Sequence, residues 1–342
     1  MSDTQGGAVG VLGAGSWGTA LAIHISRCGR QAILWGRSPE LIARLRQERE
    51  NSLYLPGVAL PPKVLPTANI EEVASCAKVL VVVPSHGFRA VLKRFLAASD
   101  AESEQLLVSA TKGIEGESLA RMSEVSFEEA VRARRTISFA VISGPSFATE
   151  LVAGSPTAAV VASEDVEARG VLQELLSGAN LRLYSTSDVV GVELGGAVKN
   201  VIAIAAGVVS GLGYGHNTLA ALLTRGLHEM TRLGRACGGR AGTFSGLAGL
   251  GDLVLTCTGS LSRNRSTGEA LARGETLAQI EQRTAMVAEG VRNSRSILSL
   301  AQRRGVEMPI TEQMVQVLYE GKDPRIAVED LMSRDLKSES QL

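Results

Sequence analysis

The sequence has few cysteines and few aromatic residues, and it has no net charge. Four of the 342 residues are cysteines and 4% are aromatic, while 35 basic side chains balance 35 acidic ones. Such a balance gives no general attraction to nucleic acid or to anionic lipid. We therefore expect no nucleic-acid partner, and any anionic ligand must be bound by a local group of residues.

The cysteines are scattered, and none forms a Cys-x-x-Cys pair or joins a histidine at metal-ligand spacing. We expect reduced thiols, no metal site and a cytoplasmic protein. The segment from Met1 to Gly7 lacks the basic and apolar parts of a signal peptide, so export is not expected. The four cysteines are Cys28, Cys76, Cys237 and Cys257.

No formally charged residue lies between Lys199 and Arg225. Polar and glycine residues after Val209 interrupt this stretch, which predicts an apolar segment too short to span a bilayer. We expect a buried helix followed by a glycine-rich bend, and no stable membrane insertion. Two interpretations of Lys199 stay open on this segment alone: an active-site amine, or a side chain at a helix edge that reaches solvent.

The first half begins with the pattern of a dinucleotide-binding unit. An apolar run, Ala8 to Leu12, leads into Gly13-Ala14-Gly15-Ser16-Trp17-Gly18 and a helix-compatible segment, and Ala32 to Trp35 makes a second strand. Gly13 would allow a tight turn, Gly15 the close approach of a pyrophosphate, and Gly18 the contact of helix with strand. The alternative is a glycine-rich turn without a ligand.

Arg37 follows the second strand, where a carboxylate would normally bind the ribose hydroxyls of NAD. An arginine there favours the 2′-phosphate of NADP, although the nearby Glu40 leaves NAD open. Arg37 as an ordinary solvated cation is the third interpretation.

Further strands alternate with helix-compatible stretches, which predicts an open α/β sheet of Rossmann type. Ligands of such sheets bind beyond the carboxyl ends of the strands, where Lys112 and Ser146 are expected. The alternatives are surface charge for Lys112 and a helix N-cap for Ser146. The predicted strands are Val79 to Val83, Leu106 to Ala110, Ile137 to Ile142 and Ala158 to Ala162.

From Gly191 onward the apolar residues have helical spacing. The sequence thus predicts two domains: a Rossmann-like α/β domain over residues 1–188 and a mainly α-helical, substrate-binding domain over residues 189–342. The predicted helical segments of the second domain include Ala220 to Leu233, Leu277 to Ala288, Arg292 to Arg303 and Thr311 to Glu320.

Two polar segments of the second half suggest an anion site. Asp252 follows a glycine-rich run and could pair with Lys199, while Arg263 and Asn264 offer groups suited to phosphate oxygens. The alternative is a solvent-facing turn capped by Ser262, with Asp252 making only a local turn. With the nucleotide motif, these residues fit hydride transfer to a small phosphorylated carbonyl compound.

Seven motifs resemble those of bacterial-type NAD(P)-dependent glycerol-3-phosphate dehydrogenases, and the resemblance covers nearly the whole chain. They are the glycine motif, Val81-Val82-Val83-Pro84-Ser85-His86, Ala110-Thr111-Lys112-Gly113, Ile142-Ser143-Gly144-Pro145-Ser146-Phe147-Ala148, Gly196-Ala197-Val198-Lys199-Asn200, Gly249-Leu250-Gly251-Asp252-Leu253 and Ser262-Arg263-Asn264-Arg265.

The resemblance implies reversible conversion of dihydroxyacetone phosphate to sn-glycerol 3-phosphate for phospholipid synthesis, NADP or NAD as cofactor, and a homodimer. It implies that Lys199 gives the proton to the carbonyl oxygen, with Lys112 and Asp252 beside it. The implied substrate contacts are Lys112, Gly144, Ser146, Lys199, Asp252, Ser262, Arg263 and Asn264. The implied cofactor contacts are Gly13, Gly15, Ser16, Trp17, Gly18, Arg37, Lys112, Ala148, Arg263, Val287 and Glu289.

Burial and Lys112 would lower the pKa of Lys199, and Asp252 would raise it. Two other functions remain alternatives: a Rossmann dehydrogenase acting on a hydroxy or sugar acid, and a regulator that binds NAD(P) without catalysis.

Overall fold

The structure is a computed structural model, which describes residues 7–100, 104–178, 180–283, 288–336 and 338. The chain divides into two compact units. Unit 1 comprises residues 1–111 and 120–189, and unit 2 comprises residues 112–119 and 190–342. The short segment 112–119 therefore groups with the second unit although it lies in the first half of the sequence.

Unit 1 is built on an eight-stranded sheet with the strand order β10-β9-β8-β7-β6-β1-β2-β5. Neighbouring strands are parallel except for β8 and β9. A separate two-stranded hairpin, β3 with β4, follows the second helix. The strands are β1 Val9–Leu12, β2 Ala32–Trp35, β3 Glu50–Asn51, β4 Leu55–Ala59, β5 Val64–Thr67, β6 Lys78–Val81, β7 Gln105–Ser109, β8 Ile137–Ser143, β9 Thr157–Ala162 and β10 Leu181–Thr186.

The strands near the middle of this sheet are buried apolar runs, as expected of parallel strands covered on both faces. The α1 side chains Leu21, Ile23 and Ile25 belong to a core shared with Val9 and Val11. The helices of unit 1 are α1 Ser16–Arg27, α2 Pro39–Glu48, α3 Ile70–Ala74, α4 Ser85–Ala98, α5 Met122–Ala133, α6 Ala148–Val152 and α7 Val166–Leu176.

The Rossmann-like α/β class is confirmed, and the predicted strands match observed ones to within one or two residues. Three features of unit 1 were not predicted: β5, β10 and the β3–β4 hairpin. Pro66 lies in β5, and only Leu181 and Leu183 of the six residues in β10 are buried, while the residues between and after them are exposed or half-exposed. Short or half-exposed edge strands of this kind give a weak apolar pattern.

Unit 2 contains helices and no strand among its described residues. The helices of this unit are α8 Val189–Gly211, α9 His216–Ala236, α10 Ala241–Phe244, a π-helical turn Leu247–Gly251, α11 Asp252–Thr258, α12 Arg263–Ala272, α13 Leu277–Arg283, α14 Glu289–Arg303, α15 Pro309–Tyr319 and α16 Pro324–Met332. The predicted mainly helical second half is thereby confirmed.

Helix α8 is the centre of the unit 2 core. Its 23 residues are long and apolar enough to span a membrane, and 94% of the most apolar window is buried inside the protein. The expectation that this segment is too short was wrong, because the glycine-rich residues before Lys199 continue the helix. A bent pair, Ala241–Thr258 with Arg263–Ala272, also passes that length and composition test when taken as one span.

Candidate active site and dinucleotide loop

Lys199, Asp252 and Lys112 form a buried charge cluster in unit 2. The Lys199 ammonium donates to Asp252 Oδ1 at 2.5 Å, and Lys112 donates to Asp252 Oδ2 at 2.6 Å. The Asp252 side chain is only 1% exposed, against 6% for Lys199 and 17% for Lys112. One carboxylate therefore joins two lysines that are 87 positions apart in sequence, and the sequence interpretation of Asp252 as a purely local turn residue is wrong.

Thr256 is a further partner of Lys199. Its hydroxyl accepts from the Lys199 ammonium at 2.7 Å and donates to the Asp252 carbonyl oxygen at 2.6 Å. Thr256 lies four residues after Asp252 on α11, so the two side chains share a helix face. That spacing could have indicated Thr256 from the sequence once Asp252 was identified.

Glycine residues let the π-helical turn before Asp252 approach α8. A Cβ on Gly195, one turn before Lys199, would lie 2.7 Å from the carbonyl oxygen of Ala248, and a Cβ on Gly249 would lie 2.1 Å from that of Phe244. Both distances are too short for a side chain. The glycine-rich sequence around Asp252 thus serves backbone packing that brings the carboxylate against Lys199.

The pKa values of both Asp252 and Lys199 lie below their ordinary values. Burial alone raises the pKa of Asp252, but the ammonium groups of Lys112 and Lys199 outweigh burial and hold that pKa below its usual range. Burial lowers the pKa of Lys199 to about 8, against the raising effect of Asp252 and with a further lowering effect of Lys112. The sequence left open whether the pKa of Lys199 is lowered or raised, and the burial of its side chain makes the lowering effect the larger one.

Asn264 joins two segments of unit 2. Its amide nitrogen donates to Asn200 Oδ1 at 2.9 Å, and its amide oxygen accepts from the Gly290 N–H at 2.9 Å. A Cβ on Gly290 would lie 2.5 Å from the Asn200 carbonyl oxygen. Asn264 therefore ties the first turn of α14 to the residue that follows Lys199. No role for Asn200 was predicted from the sequence, although its position next to Lys199 was a usable signal.

Residues 262 to 264 form the beginning of α12. The Ser262 hydroxyl accepts from the Arg265 N–H at 3.3 Å and caps the helix, as the alternative interpretation predicted. Arg263, the first residue of the helix, is exposed. An exposed guanidinium beside the N-terminal N–H groups of a ten-residue helix is an arrangement suited to a phosphate.

Glu289, the first residue of α14, is half-buried. Burial raises the pKa of Glu289, while Arg263, Lys112 and Lys199 act in the opposite direction. This carboxyl group therefore lies within electrostatic reach of the same three cations. Val287, the other cofactor contact expected nearby, lies outside the described residues.

Unit 1 carries the glycine motif on the turn between β1 and α1, and we call residues 13–18 the dinucleotide loop. Gly13 has φ +126°, and a Cβ there would lie 2.3 Å from the Val82 carbonyl oxygen. A Cβ on Gly18 would lie 1.8 Å from the Gly13 carbonyl oxygen, whereas one on Gly15 would meet nothing within 4 Å. The first and third glycines are required by packing, and the second leaves open space over the N-terminus of α1, which fits a bound pyrophosphate.

The other loop residues have distinct environments. The Ser16 hydroxyl donates to the Tyr54 carbonyl oxygen at 2.5 Å. Trp17 packs partly buried against the unit 1 core, and Arg37 is exposed two residues after the end of β2. Arg37 is thus accessible to a ligand or to solvent, and its contact with cofactor stays a prediction.

The segment after β8 turns sharply. Gly144 has φ +139°, and a Cβ there would lie 2.9 Å from Ala159 Cα. The Ser146 hydroxyl donates to the Gly144 carbonyl oxygen at 3.0 Å. Phe147, not Ser146, is the N-cap of α6, so the helix-cap interpretation of Ser146 is wrong. Ala148 is the first residue of that short helix and packs against the unit 1 core.

Taken together, unit 2 offers a buried ammonium of lowered pKa held by a carboxylate, which suits proton transfer to an oxygen atom. Unit 1 offers a loop that suits a pyrophosphate. These are the parts that reduction of a carbonyl compound by a nicotinamide requires.

Comparison with known proteins points to one family. Residues 8–169 match the model of the NAD-dependent glycerol-3-phosphate dehydrogenase N-terminus, and residues 188–329 match the model of its C-terminus. A glycerol-3-phosphate dehydrogenase [NAD(P)+] of Citrifermentans bemidjiense is 50% identical over 332 residues, covering 97% of this chain and 98% of the relative. One of Syntrophotalea carbinolica is 51% identical, covering 97% and 99%.

The solved structures agree. The crystal structure of glycerol-3-phosphate dehydrogenase from Coxiella burnetii is similar with a TM-score of 0.91 and 40% identity, covering 96% of this chain and 99% of that one.

Proposed function

The chain belongs to the NAD-dependent glycerol-3-phosphate dehydrogenase family, and from that premise we propose which of its residues carry out the reaction. The protein is an NAD(P)-dependent oxidoreductase that interconverts dihydroxyacetone phosphate and sn-glycerol 3-phosphate. The alternatives of a hydroxy-acid dehydrogenase or a non-catalytic regulator are not supported, since the relatives at about 50% identity are named glycerol-3-phosphate dehydrogenase [NAD(P)+].

We propose Lys199 as the acid that protonates the carbonyl oxygen during reduction. An ammonium has three N–H groups, and those of Lys199 include one donated to Asp252 and one donated to Thr256. The third can donate to the substrate oxygen, where negative charge develops. A pKa of about 8 suits this role, because the proton is held at neutral pH and is also readily given up. This lowered, oriented amine is the observation that carries the proposal.

Asp252 orients Lys199 and keeps it charged enough to act. Its two oxygens accept from Lys199 and Lys112, so the carboxylate holds both amines in fixed directions. We propose that Lys112 also stabilises charge on the substrate. After proton transfer, Asp252 and Thr256 still hold the neutral amine in place, ready to act as the base in glycerol 3-phosphate oxidation.

Phosphate recognition is assigned to the start of α12. Arg263 is exposed there beside helix N–H groups, and Asn264 holds the adjacent segments in register. We propose Asn264 and Ser262 as further substrate contacts, together with Gly144 and Ser146 from unit 1. Their hydroxyl, amide and backbone groups and their match to the family motifs support this proposal.

The dinucleotide loop and its neighbours would hold NADP or NAD, whose nicotinamide supplies the hydride when bound. The open space above Gly15 and the α1 N-terminus support this role for residues Gly13, Gly15, Ser16, Trp17 and Gly18. Arg37, Lys112, Ala148, Arg263, Val287 and Glu289 complete the proposed contacts. Arg37 favours NADP, because a guanidinium matches the 2′-phosphate.

We further propose that the enzyme acts as a homodimer in the cytoplasm and supplies glycerophospholipid synthesis. The four free cysteines and the family resemblance support this setting.

The test is reduction of dihydroxyacetone phosphate by the purified chain with NADPH and with NADH, followed by the absorbance of the reduced cofactor. We expect turnover with both and a lower KM for NADPH. In the Arg37→Ala variant the KM values for NADPH and NADH should lie closer together. An unchanged ratio of the two would contradict the assignment of Arg37 to the 2′-phosphate.

A further inference from the structure

We propose that Asn51 is a positioning residue for the dinucleotide loop. Asn51 lies in β3 and is fully buried. Its amide nitrogen donates to the Ala14 carbonyl oxygen at 3.0 Å and to Thr19 Oγ1 at 2.7 Å, and its amide oxygen accepts from the Tyr54 N–H at 3.3 Å. The inference rests on the proposed cofactor role of the dinucleotide loop.

The bond to Ala14 fixes one peptide plane of the loop. A trans peptide is planar, so its C=O and N–H groups point in opposite directions. When Asn51 holds the Ala14 carbonyl, the N–H of Gly15 in the same peptide points away from Asn51. The space around Gly15 is open, since a Cβ there would meet nothing within 4 Å. Asn51 thus directs an N–H donor to the side where a pyrophosphate can approach.

Without this bond the peptide could rotate. Rotation of the Ala14–Gly15 plane changes ψ of Ala14 and φ of Gly15, and glycine adopts positive φ at little cost. A rotated peptide would present a carbonyl oxygen to the pyrophosphate and would repel it. The glycine that allows close approach of the ligand therefore needs a fixed partner on the other side of the plane.

The β3–β4 hairpin that carries Asn51 is itself held firmly. Arg49, in the left-handed region with φ +53°, donates from its guanidinium to three carbonyl oxygens at the hairpin base, with distances of 2.6 to 3.2 Å. Those carbonyls belong to Leu60, Pro61 and Val64. Glu50 Oε1 also accepts from the Gly57 N–H at 2.8 Å. The hairpin is thus a fixed support for Asn51.

A second link joins the hairpin to the loop. The Ser16 hydroxyl donates to the Tyr54 carbonyl oxygen, while the Tyr54 N–H donates to Asn51. Two adjacent points of the hairpin therefore hold the loop and the first turn of α1. Both links lie within unit 1 and involve no residue of the charge cluster.

The experiment compares Asn51→Asp with wild type and with Ser52→Ala. Aspartate keeps the size of asparagine and the acceptor for Tyr54, but it removes the donor and sets a carboxylate against the Ala14 carbonyl. Ser52 is an exposed neighbour in the same hairpin. Dissociation constants for NADPH and NADH are measured by titration, and kcat and KM for dihydroxyacetone phosphate at saturating cofactor.

We expect Asn51→Asp to weaken both dinucleotides about tenfold or more, the effect of losing a buried hydrogen-bond partner. Its kcat and its KM for dihydroxyacetone phosphate should stay within about twofold of wild type, and Ser52→Ala should match wild type throughout. A folded Asn51→Asp variant with unchanged dinucleotide affinity would overturn the proposal, as would a loss confined to kcat.

If Asn51→Asp does not fold, Thr19→Val tests the role of Asn51 instead. It keeps the shape of the side chain and removes the hydroxyl that accepts from the Asn51 amide. We expect about threefold weaker dinucleotide binding, and unchanged binding would count against the role of Asn51. A wild-type chain that binds NADPH but does not reduce dihydroxyacetone phosphate would contradict the catalytic assignments, and leave this inference standing. A wild-type chain that binds neither dinucleotide would overturn the cofactor role of the loop.

Discussion

The Lys199 ammonium and the Asp252 carboxylate are 2.5 Å apart, and each side chain is less than 10% exposed. A buried pair of this kind is costly to form, because both charges leave water. Burial, with a further lowering effect of Lys112 on the same carboxylate, holds the pKa of Lys199 at about 8, below its ordinary value, although Asp252 raises it. The cluster thus holds a lysine that is charged and still acidic enough to give up its proton.

Removal of the amine tests this assignment directly. Lys199→Ala should lower kcat by about a thousandfold, near the contribution of a positioned general acid, with dissociation constants for NADPH changed by less than about twofold. Lys93→Ala, an exposed lysine of unit 1, is the control and should keep wild-type turnover. Near-native kcat in Lys199→Ala would remove Lys199 from the mechanism.

The pH dependence of turnover should report the pKa of Lys199. Reduction needs the ammonium, so its kcat/KM should fall as pH rises through about 8, while oxidation of glycerol 3-phosphate needs the neutral amine and should rise over the same range. Asp252 raises the pKa of Lys199, so Asp252→Asn should move both limbs to lower pH. Profiles that do not move in Asp252→Asn would contradict the role of Asp252.

Asp252→Asn should also lower stability. It leaves two amines beside a neutral amide in a buried position, and loss of one partner of a buried ion pair costs about 3 to 5 kcal/mol. Denaturant unfolding at neutral pH measures the change. Asp330→Asn is the control, because Asp330 pairs with Lys322 nearer the surface, where its side chain is 47% exposed and a pair contributes less than about 1 kcal/mol.

Much of this site follows from sequence and some of it does not. The glycine motif predicted the loop, because packing against Val82 and within the loop itself leaves no room for Cβ at Gly13 and Gly18. Lys199 and Asp252 were paired as a hypothesis from charge alone. Asn51 gave no signal, because its role depends on a hairpin whose strands are too short to show an apolar pattern.

The grouping of Lys112 with unit 2 was also beyond the sequence. Lys112 directly follows the sheet rim of unit 1, and only three-dimensional contacts, among them the bond from Asn293 to the Lys112 carbonyl oxygen, assign it elsewhere. Long-range pairing of this kind leaves no periodic trace in the chain.

Glu229 should make the stability of the protein depend on pH. It is buried on α9 and accepts from the N–H groups of Ile310 and Thr311 at the start of α15. Burial raises its pKa to about 7, above the value of 4.5 for an unperturbed glutamate. The folded state therefore binds this proton more tightly than the unfolded state does. The contribution of Glu229 to the stability of the protein should be greatest below pH 4.5 and decline as pH rises to about 7.

Glu229→Gln removes the titration and keeps an acceptor for one of these N–H groups. As pH rises from 4.5 to 8, the wild type should therefore lose about 3 kcal/mol of unfolding free energy relative to Glu229→Gln. The value follows from the difference between the folded and unfolded pKa values of Glu229. Denaturant unfolding at several pH values measures it. A constant difference across this range would show that Glu229 ionises at its ordinary pKa in the folded protein.

Phosphate recognition by Arg263 predicts a loss that depends on the substrate. Arg263→Ala should raise the KM for dihydroxyacetone phosphate by about ten- to a hundredfold, since a hydrogen bond to a charged group contributes about 1.5 to 3 kcal/mol. At saturating cofactor, dihydroxyacetone, which lacks the phosphate, should react with wild type and variant at nearly the same low kcat/KM. Arg273→Ala is the matched control, because Arg273 is an exposed cation just after the other end of α12 that pairs with Glu275. An equal loss on both substrates would mean that Arg263 acts on the reacting groups or on the cofactor, and the phosphate would then have to be bound by other residues.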